Sequence, residues 1–164
     1  LKSMKTLLIV WHSRTGAARQ MAQAAAQGAA GETQVRLVPA ADACAEDMLA
    51  ADGYLFCAPE NLASLSGQMK EFFDRAYYPV LDRIAGRPYA LLVAAGSDGA
   101  GVVRQVQRIA AGWRLRAVAE PVIVCTAAQT PEAILAAKTV GPGELARCAE
   151  LGQAIAAGLA LGIF

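Results

Sequence analysis

The stretch HSRTGAARQMA, residues 12–22, directly follows the apolar run LLIVW at 7–11. Ser13 and Thr15 offer hydroxyl donors, Gly16 carries no Cβ, and the amides of Ala17 and Ala18 would open an alanine-rich helix. Free N–H groups at a helix start, aided by the helix dipole, form a ready site for an anion such as a phosphate. Arg14 would add a full charge there, if it does not simply lie in solvent. A structural alternative is that Ser13 and Thr15 only cap the helix, and this loop alone leaves both readings open. The lysine of a GxxxxGK[ST] loop is missing, which disfavours a triphosphate with magnesium. No GxGxxG follows the first apolar run, and Val38-Pro39 closes the next strand without a ribose-binding acid, which disfavours a tightly held dinucleotide.

Two further stretches share this small and polar character. PENLASLSG at 59–67 begins with Pro59, Glu60, Asn61, Leu62 and Ala63 and shows no periodicity, so it reads as a loop. GSDGAG at 96–101 contains Gly96, Ser97, Asp98, Gly99 and Gly101. Alone, such glycines only turn a strand into a helix, with Asp98 as its N-cap. No Ser/His/Asp set, paired carboxylates or Cys–His arrangement is found, and no catalytic side chain or metal ligand is assigned. His12, the single histidine, is read as a hydrogen-bonded structural residue rather than a proton-transfer group.

The elements that must position these loops alternate. Apolar runs at 5–11, 53–58, 89–95 and 117–125 read as strands covered on both faces, and 33–38 alternates as a strand closed by Pro39. Helical patterns occupy 16–29, 43–50, 68–81, 102–113 and 143–161, while 131–138 reads as a short helical turn at most. Five strands alternating with helices, and no convincing hairpin, predict a doubly wound parallel α/β sheet of order 2-1-3-4-5 with helices on both faces. Ligands of such sheets bind beyond the carboxyl ends of the strands where the winding reverses. All three loops fall at that edge.

The totals bound the rest. With 164 residues and 55% hydrophobic content, residues 4–164 are expected to form one domain. Leu1, Lys2 and Ser3 precede a methionine that would itself start MKTLLIV and are set outside the fold. Fifteen basic and 14 acidic side chains leave a net charge of +1, so no nucleic-acid partner or anionic membrane surface is expected. The apolar stretch at 154–164 is about half of the ~20 residues a membrane span needs, so no insertion is expected. Cys44, Cys57, Cys125 and Cys148 are widely spaced, which suits reduced thiols and a cytoplasmic location, and Cys57 and Cys125 are read as small apolar residues.

WHSRTGAARQMA, GYLFCAPENLASLSGQMKEFFDRAYY and LLVAAGSDGAG together resemble the flavodoxin-like FMN proteins, above all NAD(P)H:quinone oxidoreductases of the WrbA type and NADPH-dependent FMN reductases. SGQMKEFFDR after a strand ending in proline is the most specific piece, and the resemblance runs through nearly the whole chain. It implies that Ser13, Arg14, Thr15, Gly16, Ala17 and Ala18 hold the FMN phosphate. It also implies that Pro59 to Ala63 run along the isoalloxazine edge, with Gly96 to Gly101 on its other side. The flavin would then carry hydride or electrons itself, with NAD(P)H as a transient co-substrate, and no general base is required.

Two functions compete under that resemblance. In one, the chain is an FMN-dependent oxidoreductase passing electrons from NAD(P)H to a quinone or similar small acceptor, and a homodimer or homotetramer is compatible with it. In the other, it is an electron-transfer module for a protein partner. Electron-carrying flavodoxins are usually acidic and sandwich the flavin between aromatic rings; here the loops contain no aromatic residue and the chain is nearly neutral, which favours the first. A phosphorylated receiver would need clustered acids after the first strand and an aspartate ending the third, and neither exists.

Overall fold

A computed structural model describes residues 4–164, so the reading of Leu1, Lys2 and Ser3 lies outside the described residues. The strands are β1 (Thr6–Trp11), β2 (Gln34–Pro39), β3 (Gly53–Asn61), β4 (Ser64–Leu65), β5 (Pro88–Ala95), β6 (Arg116–Ala117) and β7 (Val122–Cys125). The helices are α1 (Ala17–Ala29), α2 (Ala45–Ala50), α3 (Gly67–Val80), α4 (Ala100–Gly112), α5 (Pro131–Leu135) and α6 (Pro142–Leu161). The sheet runs β2-β1-β3-β5-β6, with β7 also on β5 and β4 on β3. Among the described residues, all pairings apart from the antiparallel β3–β4 pair are parallel. This is the doubly wound order expected, with its last strand in two pieces.

Each central strand feeds two cores because alternate side chains point to opposite faces. Leu8, Val10, Tyr54 and Phe56 join Phe72, Phe73 and Trp113 on one face, under α3 and α4. Leu7, Ile9, Leu55 and Cys57 join Met21, Ala22, Cys148 and Ile155 on the other, under α1 and α6. The first face is aromatic: Phe56 meets Phe73 edge-on at 5.1 Å, and Tyr77 stacks on Trp113 at 5.5 Å. On the second face, small residues line the seam between α1 and α6. A Cβ on Gly28 would overlap the Ala149 carbonyl and one on Gly152 the Ala25 carbonyl, so the backbones of α1 and α6 touch. Tyr78, by contrast, is exposed and belongs to neither core. No helix among the described residues is long and apolar enough to cross a membrane.

Three departures from the expected elements have local causes. Residues 59–65 are not a loop: β3 runs on to Asn61, and β4 folds back on it as a hairpin. Its two turn residues, Leu62 and Ala63, have φ of 51° and 64°. That backbone suits a two-residue hairpin but normally calls for Asn or Gly, so the sequence gives no turn signal. Tertiary contacts hold it instead, with Gln105 of α4 accepting from the Leu65 amide at 2.7 Å and donating to Ser64 Oγ at 2.9 Å. The last strand is interrupted between Ala117 and Val122, where Pro121 can donate no ladder hydrogen bond. Helix α4 starts at Ala100, so Ala100 and Gly101 are helical rather than loop.

Candidate functional site

The carboxyl ends of β1, β3 and β5 surround a cavity of about 440 Å³. Ser13, Arg14, Thr15, Ala17 and Ala18 line it from the β1–α1 turn. Pro59, Glu60, Asn61, Leu62 and Ala63 line it from the hairpin, and Gly96 and Ser97 from the end of β5. Four residues of the expected set stand behind this wall: Gly16, Asp98, Gly99 and Gly101 are not among its lining.

Each of the four has a structural task. Gly16 is the N-cap of α1 with φ 108°, a left-handed conformation that glycine adopts without Cβ strain. Gly99 is the N-cap of α4 with φ 90°. Asp98 therefore sits one place ahead of the cap, its Oδ1 accepting from the Ala100 amide at 3.2 Å. A Cβ on Gly101 would overlap the Ala63 carbonyl, so this glycine lets α4 approach the hairpin.

At the β1–α1 end the cavity is rich in donors. Ser13 Oγ accepts from the amide of Gly16 at 3.1 Å, but among the described residues α1 carries no side-chain cap, and the hydroxyl proton is left to donate elsewhere. The first-turn amides of α1 have no partner within the helix, and Ala17 and Ala18, which open it, line the cavity. His12 lies just outside the lining, sharing a 2.8 Å hydrogen bond between Nδ1 and Ser66 Oγ. Desolvation by burial, then the nearby Arg14 charge, lowers its pKa and favours the neutral ring.

The rest of the lining includes apolar side chains, and several of its residues come from elements the sequence did not mark. Ile134 and Leu135 of α5 line the cavity, both exposed, as does the fully exposed Leu62. Thr126, Ala128 and Lys138 come from the same segment after β7. Lys138 Nζ lies 3.3 Å from Thr15 Oγ1. Among the described residues, no aromatic side chain lines the cavity. Cys125, read as a packing residue, is exposed at the end of β7, whereas Cys57 is buried and donates to the Ala18 carbonyl at 3.2 Å.

The family model of NADPH-dependent FMN reductases matches residues 28–130. The chain belongs to the NADPH-dependent FMN reductase family. The expected cofactor set, FMN with NAD(P)H as co-substrate, agrees with this membership. Among curated proteins, the chain is 34% identical to a flavodoxin of Aquifex aeolicus (strain VF5) over 60% of this chain and 54% of that one. It is 31% identical to an NAD(P)H dehydrogenase (quinone) of Acidithiobacillus ferrooxidans over 44% of this chain and 47% of that one. The chain thus spans about half the length of the curated relatives it matches.

Solved structures place this FMN reductase family member in the flavodoxin-like fold. A WrbA-like flavodoxin from Agrobacterium tumefaciens superimposes with a TM-score of 0.69 at 18% identity, over 96% of this chain and 98% of that one. An archaeal flavodoxin gives 0.75 at 14% identity, over 94% and 98%. The resemblance read from SGQMKEFFDR and its neighbours is therefore shared by family, relatives and fold.

Proposed function

We propose that the chain binds FMN in the cavity at the carboxyl ends of β1, β3 and β5 and passes electrons from NAD(P)H to a quinone or similar small acceptor. The observation that carries this reading is one cavity lined both by hydroxyls and helix-start residues and by exposed apolar side chains. The residues present fit the cofactor. Ser13, Thr15 and the first-turn amides of Ala17 and Ala18 suit a phosphate, and Leu62, Ala63, Ile134 and Leu135 supply apolar surface for a flat ring system. Gly96 and Ser97 provide main chain along the remaining border. When bound, FMN supplies the redox chemistry, taking a hydride equivalent from the nicotinamide and releasing electrons to the acceptor.

The chain's own contribution is to bind and orient. The hairpin residues and Ile134 and Leu135 of α5 line the same cavity as the β1–α1 turn, so polar and apolar contacts can be made to one ligand. Among the described residues no side chain at the cavity is arranged as a nucleophile with its base, and His12 bonds Ser66, so the scheme assigns no proton transfer to the protein. A single open site serves donor and acceptor in turn.

A second reading, an FMN-bearing electron carrier, draws support from the 34% identity to the Aquifex flavodoxin. Titration of the purified chain with FMN, followed by anaerobic addition of NADH or NADPH, separates the two. The oxidoreductase reading expects bound flavin to bleach with at least one nicotinamide and to be reoxidised by a quinone. Binding without bleaching supports the carrier, and absence of flavin binding overturns both.

A further inference from the structure

We propose that Lys138 reads the phosphate monoester of the flavin and thereby sets a preference for FMN over riboflavin. This deepens the FMN reading above and rests on it. Lys138 lies 123 positions beyond Thr15, yet its ammonium is held 3.3 Å from the Thr15 hydroxyl. Two carbonyl oxygens fix it there, Ile134 O at 2.9 Å and Ala136 O at 2.6 Å. Among the described residues no carboxylate pairs with this ammonium.

The backbone that carries Lys138 is docked by groups other than its side chain. Its amide donates to the Thr15 carbonyl at 2.8 Å. Gln20 Nε2 donates both to the Lys138 carbonyl at 2.8 Å and to the Gly16 carbonyl at 2.9 Å. Gln20 Oε1 in turn accepts from the Val140 amide at 2.9 Å. One side chain of α1 thus fastens this strap onto the turn that opens α1.

A phosphate monoester carries about −1.5 to −2 charge at pH 7. Hydroxyls and amides meet it only with partial charges, and Arg14, on the same wall, is exposed and has no side-chain hydrogen bond among the described residues. Lys138 places a full charge at the donor-rich end, already oriented. Riboflavin lacks the group that this charge would meet.

The test is a fluorescence titration of wild type, K138M and K138R with FMN and with riboflavin, at low and high salt. K138M is expected to weaken FMN binding tenfold or more, leave riboflavin binding within twofold, and flatten the salt dependence for FMN. K138R, which keeps the charge, should stay within about threefold of wild type for FMN. Unchanged FMN affinity in K138M, or an equal loss for both flavins, overturns the assignment to Lys138 alone. Failure of the wild-type chain to bind FMN overturns the FMN reading itself, and the assignment with it.

Discussion

Glu60 accepts a hydrogen bond of 3.0 Å from the Gly99 amide, joining the hairpin after β3 to the start of α4. The carboxylate is half-buried, so it helps hold two walls of the cavity in register while facing the space between them. Glu60→Ala should cost about 1 kcal/mol, the usual worth of a partly exposed hydrogen bond. Glu60→Gln keeps a carbonyl acceptor and should retain most of that stability. Urea unfolding midpoints of the two variants check this; equal midpoints for wild type and Glu60→Ala would show that Gln105 alone secures the hairpin.

Leu62 combines a φ of 51° with complete exposure at the cavity rim. A left-handed backbone at a residue with a Cβ costs roughly 1–2 kcal/mol, and an exposed leucine recovers none of it by burial in the ligand-free chain. Leu62→Gly should raise the ligand-free melting temperature by about 2 °C. The same change removes apolar surface from the rim, so FMN affinity should fall several-fold. Thermal melts and flavin titrations on one preparation measure both signs.

Burial, and then Arg14, lowers the His12 pKa from its ordinary 6.5. Because the unfolded chain binds this proton more readily, stability rises with pH wherever the unfolded histidine is charged and the folded one is not. The His12 contribution is complete above about 6.5 and is lost as pH falls toward the lowered folded value. His12→Gln should flatten the slope of unfolding free energy between pH 7 and 5, read from urea curves. An unchanged slope would assign it to other groups.

The four thiols should separate by reactivity. Burial, then the neighbouring Cys148, pushes the Cys57 thiol well up, and burial pushes Cys148 up to about 11. Cys125 is exposed and Cys44 half-buried. With a disulfide reagent at pH 8, the native chain should release one equivalent quickly from Cys125 and a second more slowly from Cys44. Cys57 and Cys148 should react only on denaturation, because access and thiolate formation are both denied them.

The sheet was legible wherever one segment carried its own signal. β1, β3 and β5 are apolar on both faces because helices cover both, and that pattern survives in a single sequence. The turn of Ser13, Thr15 and Gly16 was legible because helix starts have a residue vocabulary. The hairpin was not, since Leu62 and Ala63 adopt its backbone under the hold of Gln105 and Glu60 rather than by their own preference. Pro121 does mark the break in the last strand, but a strand-like run on either side hides it. Lys138, Ile134 and Leu135 reach the cavity only through tertiary docking, and nothing in their spacing points there.

Gly28 and Gly152 let two backbones meet where any larger residue would wedge them apart. A helix seated so closely can neither slide along its neighbour nor turn about its own axis. The amides at its head therefore keep their aim whether or not a ligand is present, and binding asks for little rearrangement. The far end of the chain, through α6, acts as the mounting plate for a turn formed at its beginning.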